Sequence, residues 1–379
     1  MDLKELRKEI DEVDSQLLKL LTKRMGISKQ VAEYKIQNNI PVLNQQRENE
    51  ILDSIAERSG ELADSMKIIY ATIMDVSRAE QHRIMNAGSA LRETIKNARQ
   101  FNEQTNSTTV VACPGVIGSY SSEATKKMFT DAKVEYCETF SQVFEQIKNG
   151  NVDFGVIPVE NSTAGSVHET YDLLMKNRFY IVKAFDMPIH HCLCAKKRTE
   201  LKDIKNVISH TQAISQCRDF IIENGYKAIE CSNTAIAAKQ VSEGEATDTA
   251  AICSAHAAKE YSLETLLSNI QTSTTNTTRF IAVSKELLTS DNADKISLVF
   301  SAPHVTGSLY RILGRFSMAG LNLTKIESRP KSDSNFSYNF YLDLTGSVKD
   351  KRTLDLLCAL SDELPYFNFI GNYNEENQN

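Results

Sequence analysis

The sequence predicts a multidomain chain in which an all-α region is followed by an α/β region and then by a smaller α+β region. Three observations support this prediction. The chain has 379 residues, which at about 150 residues per domain corresponds to two or three domains. Apolar residues recur every three or four positions near the N-terminus, whereas short β-branched runs begin at Thr108. After residue 286 the order of predicted elements changes again.

Composition excludes several classes of protein. Hydrophobic residues make up 41% and charged residues 24%, which is close to the globular average. No stretch approaches the roughly 18 consecutive apolar residues of a membrane span, and we do not expect the charged segment MDLKELRKEIDEVD to be a targeting signal. A net charge of -6 disfavours a nucleic-acid binder but leaves room for an anionic small molecule. We therefore expect neither nucleic acid nor membrane among the partners.

The eight cysteines are scattered and form no CxxC pair, which predicts reduced thiols in a cytoplasmic protein. The run HHCLC, His190–Cys194, is the only dense group of soft ligands. Zinc sites usually draw their ligands from two separated segments, so we expect a buried strand here and no metal.

One long amphipathic helix is predicted over residues 3–36, because apolar residues repeat at helical spacing and the first proline is Pro41. It would be about 50 Å long. Two shorter helices follow, at about 45–58 and 65–85. Two short helices cannot cover the whole apolar stripe of the long one, so we expect the chain to form a homodimer or a higher homo-oligomer through it.

Four basic residues in this region are candidates for an anion site: Arg7, Arg24, Lys35 and Arg47. Arg24 and Lys35 fall within about 20° of each other on the helix, but Arg7 lies about 26 Å from Arg24 along its axis. Arg7 could therefore reach only a partner's site, in an antiparallel dimer. From spacing alone, a solvated basic face remains the alternative.

The segments ELRKEID, TKRM, AEYK, PVLNQQRENEI and DVSRAEQ resemble the all-helical chorismate mutase family over residues 1–85. The resemblance implies that Arg24 and the partner's Arg7 bind the carboxylates of chorismate. It implies that Lys35 and Gln81 act on the ether oxygen as catalytic residues. The remaining substrate-binding residues it implies are Asn44, Arg47, Glu48 and Ser77, of which Glu48 takes the ring hydroxyl and Asn44 replaces an expected aspartate.

Four segments, VACPGVIGSYSSEA, GVIPVENSTAGSV, SHTQAISQC and NTTRFIAVS, place polar residues at strand ends, where open α/β sheets bind ligands. Together they resemble prephenate dehydratase over 108–286, which implies a two-lobed α/β domain. The resemblance makes Thr278 the catalytic proton donor to the leaving hydroxyl and Arg279 the anchor for the substrate carboxylate. It adds Asn161, Ser209 and Gln216 as supporting substrate-binding residues.

The last region has the split βαβ order of a ferredoxin-like domain, with strands at 296–302, 322–329, 336–344 and 366–371 and helices at 307–319 and 350–361. The segments GSLYRILGRF and LNLTKIESRP resemble the ACT regulatory domain over about 296–373. This implies an allosteric phenylalanine site that contains Gly307, Leu309, Glu327, Ser328, Arg329 and Pro330. Thr306 and Ser308 depart from the family pattern. The polar tail NEENQN is expected to fray.

The sequence thus predicts an all-α chorismate mutase domain at 1–88, a flexible linker at 89–107, a prephenate dehydratase domain at 108–286 and an ACT domain at 296–373. Such an enzyme converts chorismate through prephenate to phenylpyruvate without a cofactor and is inhibited by phenylalanine. Channelling of prephenate is not expected across a flexible linker. The alternatives are a dehydratase that prefers arogenate and a non-catalytic protein that senses an amino acid.

Overall fold

A computed structural model describes residues 2–101, 106–273, 275–331 and 338–377. The chain forms two compact units. Unit 1 contains residues 1–97 and 298–369, and unit 2 contains residues 98–297 and 370–379.

The N-terminal part of unit 1 is helical, as predicted. Its helices are α1 (Leu3–Asn38), α2 (Gln45–Ser59), α3 (Ala63–Met85) and α4 (Ser89–Lys96). Helix α1 begins with a capping box formed by Asp2 and Glu5, and Asn39, which follows its last residue, caps it in the left-handed conformation. None of the helices among the described residues is long and apolar enough to cross a membrane.

Helix α1 is almost entirely exposed within one chain. Only Ser28 and Ala32 are buried, and they lie in its second half, where the helix packs against α3. The apolar stripe of the first half is uncovered, with Ile10 59% and Leu17 50% exposed. The structure therefore contains the unburied stripe on which the prediction of a dimer rests.

Unit 2 is an α/β structure with two sheets. Its strands are β1 (Arg99–Gln100), β2 (Val110–Pro114), β3 (Lys133–Cys137), β4 (Phe154–Asn161), β5 (Gly165–Ser166), β6 (Tyr180–Pro188), β7 (Cys192–Ala195), β8 (Asn206–His210), β9 (Lys227–Cys231), β10 (Thr249–Cys253), β11 (Glu264–Leu267), β12 (Thr277–Ser284) and β13 (Leu288–Thr289). Its helices are α5 (Tyr120–Met128), α6 (Phe140–Asn149), α7 (His168–Asn177), α8 (Thr211–Gln216), α9 (Arg218–Glu223), α10 (Thr234–Glu243) and α11 (Ala255–Glu260).

The first lobe contains the strand order β6-β12-β4-β2-β3, and the second lobe has the order β11-β7-β10-β8-β9. Strand β2 is parallel to β3 and β4, and β8 is parallel to β9 and β10. The strands of the first lobe are nevertheless not all parallel. Strand β12 is antiparallel to both β4 and β6, because the chain returns from the second lobe and inserts between them. This insertion brings the start of β12 beside the end of β4.

The C-terminal elements are β14 (Lys295–Ser301), α12 (Ser308–Met318), β15 (Asn322–Pro330), β16 (Tyr338–Thr345), α13 (Lys351–Glu363) and β17 (Tyr366–Asn377). The strand order β15-β16-β14-β17 is that of a split βαβ, ferredoxin-like sheet. The predicted order of elements is therefore confirmed, although the ends shift by a few residues. Residues 336 and 337 of the predicted third strand lie outside the described residues.

Two segments are more ordered than the sequence predicts. The first half of the predicted linker is helix α4, which packs on α13 in unit 1 through an ion pair of 2.7 Å between Arg92 and Asp355. The backbone N–H of Gly88, just before α4, donates to Asp362 at 2.6 Å.

The polar tail NEENQN is the second such segment as far as residue 377, and residues 378 and 379 lie outside the described residues. Residues 374–377 do not fray, because they pair in parallel with β6 of unit 2. Lys183 pairs with Glu376 at 2.9 Å, and Lys295 pairs with Glu375 at 2.7 Å. These lysines balance the acidic charges of this strand.

Candidate functional sites

The residues predicted for the N-terminal site meet where α1 packs on α3. Lys35 Nζ donates to Gln81 Oε1 at 3.0 Å and to the carbonyl oxygen of Val42 at 2.6 Å. Gln81 Nε2 donates in turn to Ser28 Oγ at 3.1 Å. An ammonium group has three hydrogens and an amide two, so each side chain keeps one donor for a ligand. We call Arg24, Lys35, Glu48, Ser77 and Gln81 the N-terminal cluster.

Burial holds the pKa of Lys35 below its ordinary value. The negative charge of Glu48 opposes this shift, and the positive charge of Arg78 adds to it. Arg24 extends the cluster along α1, where it donates to the hydroxyl of Ser77.

Glu48 is buried at the start of α2. Both of its carboxylate oxygens accept from one nitrogen of Arg78, at 2.7 and 2.9 Å. Arg78 lies on α3 between Ser77 and Gln81, and sequence reasoning did not single it out. The only available signal was its helical spacing from these two residues.

Three predicted residues are not brought into this cluster within the chain. Asn44 caps α2 by accepting from the backbone N–H of Arg47 at 3.0 Å. The side chain of Arg47 is 68% exposed and pairs with Glu50. Arg7 is exposed in the first turns of α1, more than four helical turns from Arg24, as the spacing required.

The predicted residues of the central region meet where the end of β4 adjoins the start of β12. Asn161 Nδ2 donates to Thr278 Oγ1 and to Asn276 Oδ1, both at 2.9 Å. Asn161 Oδ1 accepts from the backbone N–H groups of Thr163 and Ala164 at 3.1 and 2.9 Å. Because a backbone N–H can only donate, these two contacts fix the orientation of the amide and direct its N–H toward Thr278.

A chain of hydrogen bonds continues from Asn161 toward the second lobe. Thr163 Oγ1 donates to Asn161 Oδ1 at 2.7 Å, and Gln216 Nε2 donates to Thr163 Oγ1 at 2.9 Å. Gln216 Oε1 lies 2.8 Å from His191 Nε2. Burial holds the pKa of His191 below its ordinary value, so the ring is neutral near pH 7. We call Asn161, Thr163, His191, Gln216, Asn276 and Thr278 the central cluster.

Two predicted residues lie outside the central cluster. Arg279 follows Thr278 on β12, and successive side chains of a strand point to opposite faces. Its guanidinium binds Asp186 through two hydrogen bonds of 2.8 Å and lies 2.5 Å from Glu375. These carboxylates raise its pKa further and occupy the group that was expected to anchor a substrate. The hydroxyl of Ser209 is fully buried and donates to the carbonyl oxygen of Ile252 at 2.6 Å, within the second lobe.

The predicted C-terminal site adjoins a cleft of about 810 Å³ in unit 1. Ser308 and Leu309 at the start of α12 line it, together with Val305, Tyr338 and Phe340. Gly307 precedes α12 with a φ of +77°, a conformation that favours glycine. Residues Glu327, Ser328, Arg329 and Pro330 form the end of β15, and Lys331, which follows them, lines the cleft.

All eight cysteines are free thiols, as expected, and seven of them are buried. No group of three or more His, Cys, Asp or Glu side chains in the described ranges is arranged to hold a metal ion. Strand β7 begins at Cys192, so the two histidines of the HHCLC run precede the strand rather than belonging to it.

Comparisons with known proteins identify the two regions of the chain that contain these clusters. A family model described as "Chorismate mutase type II" matches residues 6–82, and one described as "Prephenate dehydratase" matches residues 111–288. The "Bifunctional chorismate mutase/prephenate dehydratase" of Aquifex aeolicus (strain VF5) is 32% identical over 376 residues, which cover 98% of each chain. The chain belongs to the bifunctional chorismate mutase/prephenate dehydratase family.

Other relatives match part of the chain. "Arogenate dehydratase/prephenate dehydratase 1, chloroplastic" of Arabidopsis thaliana is 35% identical over 279 residues, 69% of this chain and 71% of the relative. A solved structure of prephenate dehydratase from Arthrobacter aurescens in complex with L-Phe is 32% identical, with a TM-score of 0.64, and covers 70% of this chain and 90% of that chain. Family membership confirms the predicted bifunctional enzyme of phenylalanine biosynthesis.

The sequence analysis assigned no role in the central cluster to Thr163, His191 or Asn276, and none to Tyr120, which lies beside His191. His191 was considered only as a metal ligand, yet it hydrogen-bonds Gln216. Its Nδ1 lies 3.0 Å from the hydroxyl of Tyr120, which donates to the carbonyl oxygen of His190 at 2.7 Å. Tyr120 begins α5, directly after the turn that contains Gly115 and Gly118. The signal available in the sequence was a histidine directly before one strand and a glutamine on a helix that begins after another strand.

Proposed function

We propose that the N-terminal cluster performs the rearrangement of chorismate to prephenate. The observation that supports this most directly is the pairing of Lys35 with Gln81, since both donors are needed at the ether oxygen whose bond breaks. A concerted rearrangement needs no nucleophile, only a fixed substrate conformer and stabilisation of the charge that develops on that oxygen. Arg24 supplies a positive charge for one carboxylate, and Glu48 accepts the ring hydroxyl.

The second carboxylate requires Arg7 of the partner subunit in this proposal. The exposed apolar stripe of α1 supports an antiparallel homodimer, because a contiguous apolar surface along a helix is rarely left exposed to water. Each site would then take one arginine from each subunit. The oligomeric state is therefore part of the mutase mechanism rather than an addition to it.

The central cluster, in this proposal, converts prephenate to phenylpyruvate. The bond between the ring and its carboxylate breaks, and carbon dioxide is released. The electron pair of that bond completes the aromatic ring as the ring hydroxyl leaves. Thr278 donates a proton to that hydroxyl, which departs as water. The N–H that Asn161 directs at Thr278 Oγ1 stabilises the charge left on this oxygen.

Arg279 is better assigned to the structure of the dehydratase domain than to its substrate. Its two carboxylate partners neutralise it, and it faces away from Thr278. The amides and hydroxyls of the central cluster are then the donors for the substrate carboxylate. This replaces the direct anchoring role that the resemblance implied.

We propose that phenylalanine binds at the C-terminal cleft of an ACT-like domain and inhibits the dehydratase. The apolar side chains Val305, Leu309 and Phe340 suit a phenyl ring, and the start of α12 suits a carboxylate. The relative from Arthrobacter aurescens, solved in complex with L-Phe, supports this effector.

The deciding experiment is a coupled assay on purified protein. Chorismate is supplied, and chorismate loss, prephenate and phenylpyruvate are followed with and without millimolar phenylalanine. We expect phenylpyruvate to form and phenylalanine to suppress it. No loss of chorismate would reduce the helical domain to a dimerisation module, and equal rates with and without phenylalanine would remove the effector from the proposal.

Arogenate is the second candidate substrate of the dehydratase, since several relatives carry that name. The same assay with arogenate in place of chorismate separates the two. Faster formation of phenylalanine from arogenate than of phenylpyruvate from prephenate would overturn the assignment to prephenate. Binding of either compound without any product would favour a non-catalytic sensor.

A further inference from the structure

A cluster of buried charges in unit 1 connects the mutase helices to the C-terminal helices. It contains three arginines and three carboxylates, namely Arg78, Arg311, Arg315, Glu48, Asp75 and Glu363. We call it the charge cluster. Five of the six side chains are at most 10% exposed, and Arg311 is 29% exposed. The formal charges balance, so loss of any one member leaves a buried charge without its partner.

Arg311 is the member of the charge cluster that joins α12 to α3. Its Nε and one terminal nitrogen donate to the two oxygens of Asp75, at 3.1 and 2.7 Å. The same terminal nitrogen lies 3.6 Å from Glu48. Asp75 also accepts from Arg78, which in turn holds both oxygens of Glu48. Arg311 therefore reaches Glu48 directly through charge and indirectly through Asp75 and Arg78.

The rest of the charge cluster fixes α13 in the same region. Arg315 donates to both oxygens of Glu363, at 2.7 and 3.0 Å, and Glu363 lies 3.8 Å from Nε of Arg78. Burial raises the pKa of Glu363, but the hydrogen bond with His82 and the positive charges of Arg315 and Arg78 outweigh it and hold the pKa low, at about 2, so this carboxylate stays ionised. Arg78 is thus held from three sides, and the positions of Glu48 and Arg78 depend on the C-terminal helices.

We propose that Arg311 is a positioning residue of the chorismate mutase reaction: it holds Asp75, and through Arg78 it fixes Glu48 where the ring hydroxyl of the substrate binds. The mutase domain would then be incomplete without a side chain from the C-terminal domain of the same chain. This inference rests on the proposed role of Glu48 in the mutase.

The test compares chorismate loss by wild type, Arg311→Gln and Arg311→Lys. We expect Arg311→Gln to lower kcat/KM for chorismate by about tenfold to a hundredfold, the range of a lost charge-assisted hydrogen bond. A higher KM should account for most of this loss, since the hydroxyl contact already exists in the bound substrate. Arg311→Lys should recover part of the loss because it restores the charge. The matched control is Arg352→Gln, an exposed arginine on α13, which should leave the mutase unchanged.

A double-mutant cycle distinguishes positioning from general damage. If Arg311 acts through Glu48, then Arg311→Gln should cost little in a Glu48→Gln background, and the two losses should not add. If Arg311→Gln lowers mutase activity equally in the wild-type and Glu48→Gln backgrounds, the proposal is overturned in favour of a structural role. The same conclusion follows if Arg311→Lys loses as much activity as Arg311→Gln and its melting temperature falls. If Glu48→Gln alone leaves the mutase unchanged, the proposed role of Glu48 fails first, independently of Arg311. Dehydratase activity of each variant reports separately on unit 2.

Discussion

Thr278 is placed by Asn161 so that its oxygen accepts one hydrogen bond while its own hydrogen can be donated to substrate. Thr278→Val keeps the shape of the side chain and removes the hydroxyl, whereas Thr278→Ser keeps the hydroxyl. We expect the valine variant to lose about 10²–10⁴ in dehydratase kcat, the usual contribution of a general acid, and the serine variant to lose much less. Phenylpyruvate formation from prephenate measures this, with chorismate loss as the internal control. Equal activity of the two variants would show that Thr278 is not the proton donor.

Lys35 should give the mutase a characteristic pH dependence. The ammonium form is needed to donate to the ether oxygen, and a lysine is charged only below its pKa. Burial lowers that pKa, so mutase activity should fall with rising pH before an exposed lysine would lose its proton. Initial rates of chorismate loss between about pH 7 and pH 10 test this.

The control for this pH profile is Lys35→Arg, which stays charged throughout the range. If this variant retains activity, its rate should not show the alkaline fall. The same fall in both proteins would assign the titration to another group. Dehydratase rates measured in parallel show whether the protein is intact at each pH.

At the scale of residues, the sequence predicted which residues belong to each site better than it predicted which side chains they contact. Lys35 with Gln81, and Asn161 with Thr278, could be expected because each belongs to a motif whose element is easy to place. The pairing of Arg279 could not be predicted, because Asp186 and Glu375 lie 93 and 96 positions away and meet it only when β6, β12 and the end of β17 are assembled. His191 was missed for the same reason, since its partner is on a helix of the second lobe.

Among the elements, α1 carries the prediction that concerns assembly. Leu17→Lys places a charge in the middle of the exposed apolar stripe, and we expect it to weaken the dimer and to abolish the mutase while sparing the dehydratase. Lys19→Glu is the matched control, because at 100° per residue it lies on the opposite side of the helix. Sedimentation or light scattering gives the oligomeric state, and chorismate loss gives the activity. A dimeric Leu17→Lys protein with full mutase activity would contradict the proposed interface.

The entry to α4 carries a prediction of stability. Gly88 has a φ of +67°, and an added Cβ would lie 2.5 Å from the carbonyl oxygen of Cys358 on α13. Gly320 has a φ of +78° with open space around it, so it supplies the matched control. Both changes to alanine should cost about 1–2 kcal/mol for the backbone conformation.

Gly88→Ala should cost about 1–3 kcal/mol more than Gly320→Ala, as in other overpacked sites. Thermal unfolding followed by circular dichroism compares the two variants. If both melt at the same temperature, α4 does not depend on close packing against α13, and the predicted flexible linker would be the better description of this segment.

Elements with a strong local pattern were predicted closely, and elements defined by distant partners were not. Helix α1 and the six elements from β14 to β17 follow from periodicity and breakers. The direction of β12 does not, because it depends on how the chain returns from the second lobe. The end of β17 reads as a polar tail, since its acidic side chains find lysine partners only in the folded domain.

For the whole molecule, two chemically unrelated reactions on one chain should be separable. Lys35→Ala should abolish chorismate loss and leave prephenate conversion unchanged, and Thr278→Ala should do the reverse. Measuring both activities in each variant tests the two-site assignment. Loss of both activities in a folded single variant would contradict it. Inhibition by phenylalanine should be reciprocal in binding, so bound prephenate should weaken phenylalanine binding by the same factor.

The pairing of residues 374–377 with β6 has a practical consequence for anyone who handles this enzyme. A truncation that removes residues 375–377 would remove the acidic side chain of Glu375, which neutralises Arg279 and Lys295. Preparations truncated in this way would lose dehydratase activity although every residue of the central cluster is still present. A low specific activity in such material should therefore prompt a mass measurement of the intact chain before any active-site residue is suspected.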